Sequence, residues 1–241
     1  MVTLKMAIIF LMEQIRTPFS LIWTIMSPTV LFFFLHFNEI ELRYGDTAWL
    51  GKQISWFVGY ISFSVVLFNY CLYLVGRRES GFIATFVHNM DGRLLFIRSQ
   101  LIASLIMSIL YVFFFILVVL TGFQASPDYQ IVMIILKSIY INAFMMVSLT
   151  FMASFRVTFQ TASTIYSVLI TVCMVSGIVS LKYNEGIVYW INQVNPIAIY
   201  STILQSDQEL SLMTIFFYSI MLIISIISAL TFKTEPVWSS Q

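Results

Sequence analysis

The stretch Gly76-Arg77-Arg78-Glu79-Ser80-Gly81-Phe82-Ile83-Ala84-Thr85-Phe86-Val87-His88-Asn89-Met90-Asp91-Gly92-Arg93 stands between two uncharged apolar runs, Gln53 to Val75 and Ser99 to Pro127. A bilayer core takes about 20 apolar residues per helix, so the two runs read as membrane spans and the charged stretch as the loop between them. Its own apolar residues, Phe82, Ile83, Phe86, Val87 and Met90, fall at i, i+1, i+4, i+5 and i+8. That spacing puts them on one face of a helix, with Thr85, His88 and Asn89 facing elsewhere. The pattern predicts a short amphipathic helix lying on the membrane surface. Arg77, Arg78, Arg93 and Arg98 flank it, which places it on the cytoplasmic side, where it offers a contact surface to a cytoplasmic partner.

The chain has 241 residues, 60% of them hydrophobic and 10% charged. A soluble domain of this size has too little polar surface to cover so much apolar side chain, so the composition indicates an all-α polytopic membrane protein. A net charge of +1 provides no basic field for nucleic acid. Cys71 and Cys173 both lie inside apolar runs, where a small buried thiol is the expected role and a disulfide or metal ligand is not.

Working outward from the charged stretch, six spans emerge: Phe19 to Phe37 with Pro28 as a kink, Gln53 to Val75, Leu101 to Phe123, Ile131 to Phe155, a span within Val157 to Leu181, and Leu210 to Phe232. A tight turn around Arg156 separates the fourth from the fifth. Ahead of the first span, Leu4, Ile8, Leu11 and Ile15 recur at helical spacing among Lys5, Glu13, Gln14 and Arg16. Residues 1–17 are therefore expected to form a second surface helix, broken at Thr17-Pro18, and not a cleavable signal peptide.

Six spans put both termini on one side. That side collects Lys5, Arg16, Arg77, Arg78, Arg93, Arg98, Arg156 and Lys233, and the other only Arg43, Lys52 and Lys182. Eight basic residues against three make the first side cytoplasmic. The uncharged stretch Gly186 to Ser206 is long enough to count as a seventh span, but Asn192, Gln193, Asn195 and Pro196 fall at its centre. Amides and a missing backbone donor are costly in lipid, so 182–209 is expected to be an outer re-entrant segment that breaks at Asn195-Pro196.

No Gly-x-x-x-x-Gly-Lys-Ser/Thr occurs, so no phosphate-cradling loop is built and this chain is not itself an ATPase. His36 and His88 stand alone, without metal-site spacing. Lys137 is the one charge well within a span; it either lines a cavity or snorkels to the outer headgroups. Tyr60, Phe63, Tyr70 and Tyr73 share the second span with Ser62, Ser64 and Asn69. This stripe either faces a transport path, with Tyr60, Asn69 and Lys137 as its lining, or packs helices together.

The order of parts resembles the membrane subunits of ABC-2 type exporters over nearly the whole chain. Arg78-Glu79-Ser80-Gly81 followed by an apolar face is similar to that family's cytoplasmic coupling helix, and Ser176-Gly177-Ile178 leading to Val194-Asn195-Pro196 to its fifth span and outer loop. The resemblance implies one transmembrane domain over 1–241, with a coupling segment at 76–98. It implies a pair of such chains, likened to a homodimer, around a central path. Each would dock on a separate cytoplasmic ABC ATPase that holds ATP and Mg, so this chain binds no cofactor itself. Arg78, Glu79, Ser80, Gly81, Phe82, Phe86 and Met90 would form the docking and coupling set, with Arg16 near the junction.

Polysaccharide-exporting relatives carry a strongly basic N-terminal segment, whereas only Lys5 and Arg16 precede the first span here. The resemblance is therefore closer to exporters of drugs, antibiotics and bacteriocin peptides, which reside in the bacterial inner membrane and give self-immunity. A membrane scaffold, a lipid-modifying enzyme, or an exporter of lipid or polysaccharide stays open as an alternative.

Overall fold

A computed structural model describes residues 2–16, 18–83, 89–180, 185–205 and 212–232. The described residues are helical with short connections. They form α1 (Val2–Ile15), α2 (Pro18–Leu35), α3 (Thr47–Glu79), α4 (Met90–Gly122), α5 (Tyr129–Ser154), α6 (Phe159–Ser180), α7 (Gly186–Val194), α8 (Pro196–Gln205) and α9 (Leu212–Leu230). Four of them, α3, α4, α5 and α6, are long and apolar enough to cross a membrane, and Thr24–Leu35 and Thr214–Leu230 add two shorter apolar helices. This is a helical membrane protein.

The helix starts follow from their caps. Asp46 accepts from the amide of Trp49 at 3.1 Å, Asn89 from Gly92 at 2.8 Å and Asp128 from Tyr129 at 2.6 Å, each satisfying a donor that the first helical turn leaves open. Pro18 opens α2, where a missing amide costs nothing, and Pro28 lies inside it. Residues Val65–Leu72 of α3 wind as a π-helix. Within that stretch the carbonyl of Asn69 accepts from Gln100 Nε2 at 2.7 Å and from Ser104 Oγ at 3.0 Å, joining α3 to α4.

Side-chain contacts separate the two ends of the bundle. At one end Thr47 donates to Asp128, and Gln205, at the end of α8, donates to the carbonyl of Lys52. At the other, Gly76 of α3 meets the ring of Phe159 at the start of α6, Arg78 meets the end of α5, and Arg93 of α4 meets Leu230 at the end of α9. The first is the lysine end and the second the arginine end. By these contacts α3, α5 and α9 run toward the arginine end and α4 and α6 away from it. Helix α2 also runs away, since Phe33 near its end packs on Gly122 at the end of α4. The core gathers on α3, where Phe32 of α2 meets Phe57, Phe115 and Phe123 edge to face at 5.0 to 5.9 Å and ties α2, α3 and α4 together.

The segment after α6 forms a helical hairpin. Helix α7 lies along α6, with Val188 and Ile191 beside Thr171 and Val175. Helix α8 then runs antiparallel to α3, from Ile197 against Gly59 to Gln205 against Lys52. Its tip is Asn195-Pro196. Asn195 Nδ2 donates to the Cys173 carbonyl at 2.8 Å and to Ser176 Oγ at 3.1 Å, while its Oδ1 accepts from the Ile197 amide at 3.0 Å. Asn195 of the polar centre that argued against a seventh span is thus satisfied within the protein, whereas the buried Oδ1 of Asn192 meets no hydrogen-bond donor among the described residues.

Two expectations are refined. Helix α1 turns Ala7, Phe10 and Gln14 toward the protein and leaves Leu4, Ile8 and Ile15 exposed, because Phe10 docks on Tyr73 and Phe96 at 5.6 and 5.4 Å. The apolar series Leu4, Ile8, Ile15 therefore marks its outer face. The surface helix expected from Phe82 to Met90 falls largely outside the described residues, which include Phe82 and Ile83 and resume at Asn89, so Phe86 lies beyond them. Met90 opens α4.

Candidate functional site: the arginine end of the bundle

Tyr73 and Arg77 lie one turn apart on α3, so their side chains project from the same face. Both reach Glu13 of α1: the Tyr73 hydroxyl and Arg77 Nη2 each donate to Glu13 Oε2. The guanidinium of Arg77 also stacks on aromatic rings, 5.0 Å from the centre of Tyr73 and 4.9 Å from that of Phe82. Burial acts to raise the pKa of Glu13, but the hydrogen bonds from Tyr73 and Arg77, with the charges of Arg77 and Arg16, outweigh it. Its carboxyl is held below the ordinary glutamate range.

Arg78 points the other way. Its side chain is buried, with the residue 1% exposed, and donates from Nη1 to the Ala153 carbonyl at 3.1 Å and from Nη2 to Val157 at 2.9 Å. The Ala153 carbonyl belongs to the last turn of α5, whose negative dipole end favours a cation, and the Val157 carbonyl to the connection that leads into α6. Nε contacts Glu79 at 3.4 Å. Arg93 makes the same kind of contact with another helix, donating from Nη1 to Leu230 at the end of α9 at 3.2 Å. Three arginines that flank the charged stretch thus bind α3 to α1, α3 to α5, and α4 to α9.

Of the residues read as a docking set, Arg78 is committed inward and acts as a positioning residue. Glu79 lies beside it with an 11% exposed side chain. Ser80 is exposed and donates to the Arg77 carbonyl at 3.0 Å. Gly81 adopts φ +74°, the left-handed conformation that ends α3, and its amide donates to Arg78. Phe82 is half-buried under Arg77, and Met90 is 45% exposed at the start of α4.

The exposed surface here includes a part that sequence reading treated only as a turn. Phe155 and Phe159 are 52% and 47% exposed on either side of exposed Arg156, immediately below the carbonyls that Arg78 holds. Two phenylalanines bracketing an arginine between apolar runs was the available signal. Glu13 was legible only as one of several polar residues interleaved in α1.

Tyr60, Asn69 and Lys137 are not brought together. Tyr60 stacks on Trp56 with ring centres 6.5 Å apart. Asn69 is buried between helices, donating to Gln14 at 3.5 Å and Tyr111 at 3.4 Å. Ser62 and Tyr70 on the same helix are fully buried as well, while Tyr60, Ser64 and Tyr73 are half-buried. Lys137 lines a cleft at the lysine end. No known protein-family model matches the chain.

Proposed function

We propose that this chain is the membrane subunit of an ATP-driven exporter, driven through its arginine end by a separate cytoplasmic ATPase. The observation that carries this reading is the way Arg77, Arg78 and Arg93 bind the ends of α1, α5 and α9 to the segment between α3 and α4. A push on that segment, or on Phe155 and Phe159 beside it, reaches five helices through buried or charge-assisted contacts rather than through a slack loop. A chain without a phosphate loop receives its work through such a surface.

In this reading α2 and α9 are the remaining two of six spans. The alternating directions of α2, α3, α4, α5, α6 and α9 support it. Helices α7 and α8 form the re-entrant outer hairpin. At 1.5 Å per residue each is about 15 Å long, half of a hydrocarbon core, and both limbs open at the lysine end. The excess of lysine and arginine at the arginine end makes it cytoplasmic, with both termini on that side of a bacterial inner membrane. The working unit is a homodimer, and the cargo is a small toxic product such as a bacteriocin peptide or a drug, whose removal gives self-immunity. Cells producing the cargo become sensitive to it when this chain is deleted and resistant again when it is restored; unchanged sensitivity overturns the immunity role.

A further inference from the structure

A cavity of about 290 Å³ lies between α3, α5, α6 and α9, against the tip of the α7–α8 hairpin. Its deep wall is apolar and includes Phe63 of α3 and Leu149 of α5, both buried. Among the described residues, the lining side chains that carry a nitrogen or oxygen are Ser176, Asn195 and Tyr218, and each is already paired. Asn195 is bonded to Cys173, Ser176 and Ile197, Ser176 Oγ donates to the Cys173 carbonyl at 3.1 Å, and the Tyr218 hydroxyl donates to the Val194 carbonyl at 3.4 Å. The cavity meets the lipid at Val172 and Ile191, which are 54% and 42% exposed. From there a groove between α6 and α7 continues past Val175 to Val179 and Val188.

We propose that this cavity and its groove hold one acyl chain of a bilayer phospholipid. With every lining nitrogen and oxygen paired, a peptide, a headgroup or a water molecule placed there leaves its own polar groups without partners, which is costly. Left empty, the cavity forfeits dispersion contacts along all its walls. Hydrocarbon fills it without either cost, and hydrocarbon is what surrounds the membrane-spanning helices. The shape fits a lipid tail as well. Helix α6 runs toward the lysine end, so Val179 is near that surface and Leu169, in the cavity wall, is deep. From Val179 to Leu169 the path covers about 15 Å along α6, half of a hydrocarbon core of about 30 Å and so the depth of one leaflet. A phospholipid of the leaflet at the lysine end can therefore keep its headgroup at the surface while one tail follows the groove inward and ends against Phe63 and Leu149. The site needs only the membrane-spanning helices and does not depend on the exporter reading.

The test uses the full chain in nanodiscs that contain phosphatidylcholine with a diazirine at the end of one acyl chain. After irradiation, peptide mass spectrometry locates the label. Phe63 and Leu149 are 1% and 7% exposed, so lipid that merely surrounds the bundle does not reach them. Wild type is expected to carry label on these two residues. Val172→Trp, which plugs the mouth of the cavity, is expected to lower that labelling at least about tenfold, the effect of excluding two or more methylenes from apolar contact. Val168→Trp adds the same bulk to α6 at a residue that is 57% exposed and lines neither cavity nor groove, and it should label like wild type. If Val172→Trp impairs folding, Val175→Trp narrows the groove from a residue that is 52% exposed and should reduce the same labelling. Absence of label from Phe63 and Leu149 in wild type, as when a second copy of the chain closes the groove, overturns the site. Equal labelling of wild type and the groove variants overturns it too.

Discussion

Arg78 donates from Nη1 to the carbonyl oxygen of Ala153 at 3.1 Å, so the last residue but one of α3 holds the end of α5. A cation buried to 1% exposure is tolerated because its fork meets the carbonyl-rich end of a helix and extends to Val157 as well. Arg78→Met keeps the apolar stem and removes the donors, leaving buried carbonyls without them. The expected loss is about 2–3 kcal/mol, the scale of hydrogen bonds to charged groups. Denaturant unfolding of the reconstituted protein measures it, and Arg78→Lys recovers only part because an ammonium lacks the planar fork. A side chain serving only an external partner leaves stability unchanged in both variants.

Glu13 makes the attachment of α1 dependent on pH. Its folded pKa lies below the unfolded value of about 4.5, so its contribution is present above that value and is lost as pH falls through the folded pKa. Hydrogen exchange of α1 is therefore flat from pH 7 to 5, after correction for the intrinsic rate, and protection declines below about 4.5. Glu13→Gln removes that step and lowers protection at pH 7, by roughly 1 kcal/mol for a pair this exposed. An identical acid profile in both proteins contradicts the assignment.

At Gly59, α8 packs tightly against α3. A Cβ there would lie 2.8 Å from the Ile197 carbonyl oxygen and 2.9 Å from Cβ of Tyr200. Both obstacles belong to parts of α8 that move only with the helix itself. Gly59→Ala is expected to cost about 1–3 kcal/mol by overpacking, seen as a lower thermal midpoint. It also loosens the hairpin, so a cysteine placed at Asn195 becomes more reactive to a membrane-permeant thiol reagent. Unchanged reactivity and midpoint contradict the close packing.

Much of the helical frame was legible because a long apolar run leaves the backbone no alternative to a helix in lipid. The apolar runs fall on α2 to α6 and α9, and the polar residues around Asn195 mark the break between α7 and α8. What the sequence did not disclose was direction. Arg78 and Arg77 are neighbours of the same charge, yet one turns inward to Ala153 and the other toward Glu13, a choice set by which helix ends lie within reach. The apolar series of α1 had the same ambiguity, since lipid and protein accept the same side chains. Asn69 joined a packing network for a reason visible only in three dimensions: the π-helical stretch of α3 faces Gln100 and Ser104 there.

In the proposed exporter, exposed Phe155 and Phe159 would extend the docking surface beyond the segment that links α3 to α4. Phe155→Asp is expected to weaken ATPase association about tenfold, as loss of a well-seated apolar anchor does, while leaving the thermal midpoint of the isolated chain within a few degrees. Pull-down titration against the purified ATPase measures the first and a melt the second. A midpoint that collapses together with binding makes Phe155 a structural residue instead.

The central claim is tested most directly by purifying the tagged chain from native membranes and asking what accompanies it. Wild type, and Val168→Ala on the exposed face of α6, should bring down a soluble ATP-binding chain whose hydrolysis responds to this subunit. Glu79→Lys and Phe86→Asp should lose that chain or uncouple its hydrolysis. Purification without any ATPase, or with one whose binding and coupled hydrolysis both charged-segment variants leave intact, contradicts the account.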